Sequence, residues 1–288
     1  MGIHNATLEF IGQIRKVLDC YDFPLTVRQI FYQLVTKQII PKNEASCDKV
    51  SRVGVIGRDM GLLPEEKFID PTRVFDKLSS WFDLKDFLDT VKDAYRKNMW
   101  QYQDNYIEIW TEKEALQLVI NKITHKYDVG LQIAKGQYCR TGIWEASKRY
   151  KEQSYKNCLL YYVGDYDPSG LSIYNSIKER LLNYGVDVEI PDRLALTKEQ
   201  IEEYKLPSDR ANIKDSNTKK FIEVTGSDRI VELDALPPDV LRRIIEDCIL
   251  ENSDSDIFGL ARKKEEAEKA RLTKFIEREE RKIDKSNN

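Results

Sequence analysis

Apolar and polar residues follow two different rhythms along the chain, and the rhythm changes near residue 100. Residues 7–21 place Leu8, Ile11, Ile14, Val17 and Leu18 at helical spacing, and Asp22, Phe23 and Pro24 break the pattern. Thr26 stands where it can cap a second helix over residues 27–37, whose apolar face carries Val27, Ile30, Phe31, Leu34 and Val35. A third helical stretch over 49–60 stops at Gly61. Such a helical series suits a helix-turn-helix or winged-helix module. Residues 75–100 are aromatic-rich and helical in period, and a domain boundary is expected near their end.

From residue 106 the pattern alternates between short apolar strands and helices. Strands are predicted over 106–111, 130–134, 158–164 and 186–190, and helices over 113–126, 142–152 and 169–184. This alternation implies an α/β fold with a parallel sheet covered by helices, whose functional groups collect at the carboxyl ends of the strands. Beyond it, residues 205–220 read as a polar loop and 239–250 as a helix after Pro237 and Pro238. Residues 261–284 carry nine basic and seven acidic side chains, the mark of a solvated charged helix.

Acidic residues fall at two of those strand ends. Asp165 and Asp167 follow the third strand, and Glu112 follows the first. If the first and third strands are neighbours, the three carboxylates can share one site. Oxygen ligands of this kind suit Mg²⁺, and a magnesium site at strand ends suits phosphoryl transfer. The alternative is structural: Asp167 or Ser169 caps the next helix, and Glu112 or Glu114 complements a helix amino terminus.

Composition narrows the chemistry further. The 288 residues include 46 Lys and Arg against 49 Asp and Glu, a formal net charge of −3, with 41% hydrophobic residues. That length fits about two domains. The two histidines, His4 and His125, form no metal-binding pair, and the five cysteines show no Cys-x-x-Cys spacing, so zinc and histidine chemistry are disfavoured. No apolar run approaches the roughly 20 residues of a membrane span, and the first ten residues lack a signal-peptide layout. A cytoplasmic or nucleoid-associated protein without membrane attachment is expected. Lys49, Arg52, Arg58 and Arg73 are candidate DNA-binding residues on the front module; Lys135, Arg140, Lys148 and Arg149 can line the same groove.

Four strings in this order carry a resemblance: Trp110-Thr-Glu-Lys-Glu-Ala115, Gly164-Asp-Tyr-Asp-Pro-Ser-Gly170, Leu194-Ala-Leu-Thr-Lys-Glu-Gln-Ile201 and Glu232-Leu-Asp-Ala-Leu236. A glutamate after one strand and Asp-x-Asp after a later one is similar to the Toprim signature of topoisomerases, primases and nucleases. The set as a whole resembles the A subunit of type IIB topoisomerases (topoisomerase VI) and its shorter phage and plasmid homologues. That resemblance implies an amino-terminal winged-helix domain over 1–100, a Rossmann-like Toprim domain over 101–260 and a charged helical tail over 261–288.

It also implies roles for particular residues. Thr26-Val-Arg-Gln-Ile-Phe-Tyr32 occupies the place of the family's Arg-x-x-Tyr-Tyr string, with Phe31 at the first tyrosine and Tyr32 at the second. By resemblance Tyr32 is the nucleophile that joins the DNA 5′ end, Arg28 binds the scissile phosphate, and Glu112, Asp165 and Asp167 hold Mg²⁺. A double-strand break then implies a homodimer acting on double-stranded DNA, with the tyrosine of one subunit facing the metal of the other. No Gly-x-x-x-x-Gly-Lys-[Ser/Thr] loop is present, so ATP-driven strand passage would need a separate ATPase subunit. Two alternatives remain: a hydrolytic Toprim nuclease, and a noncatalytic DNA-binding module whose acids are structural.

Overall fold

A computed structural model describes residues 5–69, 78–134, 140–191, 193–212 and 216–286. The chain is a mixed α/β protein, rich in helix, built around a three-stranded parallel sheet. Strands β1 (Asn105–Thr111), β2 (Gly130–Ile133) and β3 (Asn157–Val163) run in the order β2-β1-β3. The first and third predicted strands are therefore neighbours, in register from Asn105 opposite Asn157 to Thr111 opposite Val163.

Helices precede this sheet and follow each of its strands: α1 (Asn5–Asp19), α2 (Val27–Thr36), α3 (Glu44–Asp59), α4 (Leu84–Ala94), α5 (Gln117–Thr124), α6 (Arg140–Glu152) and α7 (Pro168–Asn183). Each local sequence explains its ends. Thr26 and Gln29 form a capping box that starts α2, and Asp167 caps α7 ahead of Pro168. Helix α3 begins earlier than its apolar period predicts, because Asn43 supplies a cap to Ser46 N–H. Gly61 leaves it in the left-handed conformation that glycine tolerates.

Side-chain alternation along the strands sorts the core into two layers. Ile107, Ile109, Leu159, Tyr161 and Val163 face α1 to α3, α5 and the later helix α10 (Pro238–Glu251) in one continuous apolar cluster. Trp110, Cys158, Leu160 and Tyr162 face the opposite layer of α6 and α7, where Ile143, Ala146, Ile173 and Ile177 lie. Both faces are thus buried, as continuous apolar strands require. On the second face Glu108 is a buried charge. Arg149 grips it at 2.8 and 3.0 Å, and Tyr106 and Trp110 donate to it as well.

Two regions depart from the predicted pattern. The expected strand over 186–190 is reduced to one isolated bridge, Leu159 with Glu189, and a second bridge, Val163 with Ala195, follows beyond its end. Pro191 lies between them and has no N–H to continue a ladder. The expected loop over 205–220 contains the short strand β4 (Asp209–Arg210), paired with β5 (Arg229–Ile230), and the start of α9 (Ser216–Thr225). Buried Phe221 seats α9 on Tyr166 beside α7, a tertiary contact that a polar local composition conceals. Between them in chain order, α8 (Lys198–Glu203) carries a second capping box, from Thr197 to Gln200.

The charged tail is helical, as its pattern predicts, within α11 (Ser255–Ser286). It packs against α4, and Glu268 pairs with Lys97 at 2.9 Å just beyond that helix. Among the described residues no helix is long and apolar enough to cross a membrane.

Candidate functional site

Strand geometry delivers the three predicted acids to one end of the sheet. Register places Thr111 opposite Val163, so Glu112 and Asp165 leave adjacent strands side by side. Glu112 Oε1 accepts from the Asp165 N–H at 3.0 Å, and the Tyr162 hydroxyl donates to its other oxygen. Burial raises the Glu112 carboxyl above its usual range, against the pull of those two donors. Asp167 Oδ1 accepts from Gly170 N–H at 2.6 Å, and burial raises its carboxyl as well. The structural alternative for Asp167 is therefore realised: it caps α7 while standing beside the other acids. Gly170 permits this turn, since a Cβ there would overlap the Asp165 carbonyl oxygen.

Asp165 is the hub. Its Oδ1 accepts from Leu233 N–H at 2.8 Å, and its Oδ2 lies 2.7 Å from Lys113 Nζ. Arg193 donates to the Asp165 carbonyl and stands over the Tyr162 ring at 5.4 Å. The Leu233 contact brings in a turn, Leu233–Ala235, which with Glu232 just before it supplies two further carboxylates. Asp234 is fully buried, and neither of its oxygens accepts a hydrogen bond. Lys113 Nζ lies 3.3 Å from Asp234 Oδ2 and 3.5 Å from Glu232 Oε2. Burial raises the Asp234 carboxyl. Lys113 resists burial, which would favour its neutral amine, because Asp165, Asp234 and Glu232 hold it charged well above its ordinary range.

The same turn meets α2. Arg28 donates to Glu232 and stands 3.8 Å from Asp234, linking positions 204 apart in the chain. Its guanidinium lies 5.8 Å from the centre of the Tyr32 ring. Tyr32 is only 3% exposed. Burial, and then the Glu232 carboxylate beside its hydroxyl, push the phenol well above its ordinary range, while Arg28 opposes them. Glu232 in turn is held below the carboxylate range: burial alone would raise it, but Arg28, Tyr32 and Lys113 outweigh that. Arg28, Tyr32 and the acids thus meet within one chain, through Glu232 and Lys113. A cleft of about 170 Å³ opens over them, lined by Arg28, Lys113, Asp165, Asp167 and Glu232, with Lys42 and Asp209 paired at 2.6 Å.

The basic candidates are dispersed. Arg52 is exposed on α3. Arg58 is tied to Glu65 at 3.1 Å and covers the Phe68 ring. Arg73 and Lys135 lie outside the described residues. Arg149 is the partner of buried Glu108, and Lys148 covers Trp144, so both have structural work. Lys113, Asp234 and Arg193 carry no role in the sequence reading. The first two lie inside the quoted strings, where position alone does not separate a contact from a bystander.

Among the described residues no three His, Cys, Asp or Glu side chains are arranged to hold a metal ion as they stand. Protein donors engage Glu112, Asp165 and Asp167, and an ammonium group stands between Asp165, Asp234 and Glu232. The donor set nevertheless suits a hard divalent cation, being all carboxylate and including Asp234 oxygens that accept no hydrogen bond. Five carboxylates (Glu112, Asp165, Asp167, Glu232, Asp234) face three cationic side chains (Arg28, Lys113, Arg193), a formal excess of two negative charges. No family model, curated protein or solved structure matches the chain.

Proposed function

We propose that this chain cleaves DNA by magnesium-assisted transesterification, with Tyr32 as nucleophile, in the manner of topoisomerase VI A subunits. The observation that carries the reading is the junction of Arg28 and Tyr32 with Glu232, Lys113 and Asp165 at the carboxyl end of a parallel sheet. The sequence strings support DNA as substrate. On this reading α1 to α3 form a winged-helix domain and residues 101–260 a Toprim domain.

Each group then has a task. Glu112, Asp165 and Asp167 would hold Mg²⁺, which when bound neutralises charge developing on the phosphodiester. The Tyr32 hydroxyl attacks phosphorus, and the DNA 3′ oxygen leaves as the phosphotyrosyl bond forms at the 5′ end. A phenol with an ordinary pKa near 10 needs help at neutral pH, and this one is held still higher. Glu232, beside the hydroxyl and kept ionised by Arg28, is placed to take the proton. Arg28 also lines the cleft, where its guanidinium can meet a phosphate. One tyrosine cuts one strand, so a double-strand break requires two chains; Tyr32 lies beside Glu232 of its own chain, and by the resemblance it would act at the metal site of the partner. ATP-driven strand passage would fall to a separate ATPase subunit.

One observation favours a second reading. Tyr32 is buried beneath the cleft, which suits a hydrolytic Toprim nuclease in which water attacks and the tyrosine only positions Glu232. Cleavage of supercoiled plasmid by wild type, Asp165→Ala/Asp167→Ala and Tyr32→Phe in Mg²⁺ separates these. Transesterification predicts loss of activity in both variants. Full activity in Tyr32→Phe assigns the reaction to water, and full activity in the double variant removes the acids from the chemistry.

A further inference from the structure

We propose that Lys113 is an internal counter-cation, binding Asp165 to Asp234 and Glu232 at the edge of the divalent-metal site and yielding Asp165 when metal binds. This inference rests on the metal-site reading above and adds the mechanism by which the site is kept intact before loading. Three distances define the position: 2.7 Å to Asp165, 3.3 Å to Asp234 and 3.5 Å to Glu232. No other cation reaches all three carboxylates among the described residues.

The physical need is local. Asp234 is fully enclosed and its oxygens accept no hydrogen bond, so it depends on a nearby positive charge. Asp165 and Glu232 would otherwise repel it across a low-dielectric space. Arg28 relieves part of this from the α2 side, at 3.8 Å, but has no ion pair with Asp165. Lys113 joins the two acid groups. It is also well placed to leave: its side chain retains 17% exposure and lines the cleft, whereas Asp234 has none. A flexible four-carbon stem lets the ammonium swing into that cleft, toward the place a substrate phosphate would take. A divalent ion then meets carboxylates already gathered, at the cost of displacing one monovalent group.

The test uses Mn²⁺ as a paramagnetic stand-in, with the free aqua ion measured by electron paramagnetic resonance on full-length wild type, Lys113→Met, Lys113→Arg and Asp165→Asn. Removing the competing charge should tighten Mn²⁺ binding in Lys113→Met on the order of tenfold. Lys113→Arg, which keeps the charge, should bind no tighter than wild type, and Asp165→Asn should bind more weakly. Asp165→Asn binding like wild type would overturn the metal-site reading itself. Weakened Asp165→Asn with unchanged or weakened Lys113→Met would overturn only the counter-cation role. Absence of binding in every variant overturns both. Should Lys113→Met fail to fold, the wild type decides: acylation of Lys113 by a lysine-reactive ester, read by peptide mass spectrometry, rises with Mn²⁺ if the ammonium is displaced and stays constant if it is not.

Discussion

At Gly170 a single missing methyl group lets the chain turn from Asp165 to Asp167 and into α7. Any Cβ at this position presses on backbone, which cannot swing aside as the end of a side chain can. Gly170→Ala should therefore destabilise the protein by about 1–3 kcal/mol, as overpacking does, and weaken metal binding along with it. Denaturant unfolding and metal titration of the same variant check both effects. Unchanged stability would mean that the turn is looser than this contact requires. Residue identity made the acids legible in the sequence, because carboxylates after apolar strands announce themselves by type and spacing. It did not reveal that Lys113, one residue beyond Glu112, would stand among Asp165, Asp234 and Glu232. A lysine carries no local sign of which carboxylates it will meet after folding.

Among the elements, α2 shows what periodicity can and cannot tell. Its cap at Thr26 and its length were both readable, and the capping box with Gln29 is present. Its apolar period predicts one buried face, yet Gln29, Tyr32 and Gln33 are buried as well. The reason is tertiary: α2 lies between α1, α3 and the Leu233–Ala235 turn, so little of its surface remains for solvent. That turn joins α2 from two hundred residues away, and no pattern local to either segment encodes the meeting. Because α2 carries both Arg28 and Tyr32, its start fixes their place relative to Glu232. Thr26→Ala should cost about 1 kcal/mol of stability through the lost cap. It should also reduce DNA cleavage more than that loss of folded protein accounts for, as measured by activity per folded molecule. Cleavage that simply tracks the folded fraction would show that the cap serves stability alone.

Across the whole molecule, one apolar cluster unites the amino-terminal helices with a face of the sheet, and a second fills the layer behind it. The α/β class followed from strand and helix alternation, whereas the adjacency of the first and third strands was only a condition there and comes from the sheet order. The broken fourth strand and α9 did not, since a proline and one buried aromatic decide them. The near-neutral total charge conceals a local arrangement in which acids gather at one end of the sheet and two cations, Arg28 and Lys113, are spent on them. On the proposed reading the protein would meet DNA through a small charged cleft rather than through bulk positive charge.

Attack by Tyr32 would leave the protein joined to DNA, and that bond can be sought directly. A reaction with end-labelled duplex and Mg²⁺ is stopped with detergent, digested with nuclease and protease, and read by mass spectrometry. Transesterification by Tyr32 predicts a nucleotide attached through its 5′ phosphate to the peptide bearing Tyr32, lost in Tyr32→Phe. Cleaved DNA with free 5′ ends and an unmodified Tyr32 peptide would contradict it.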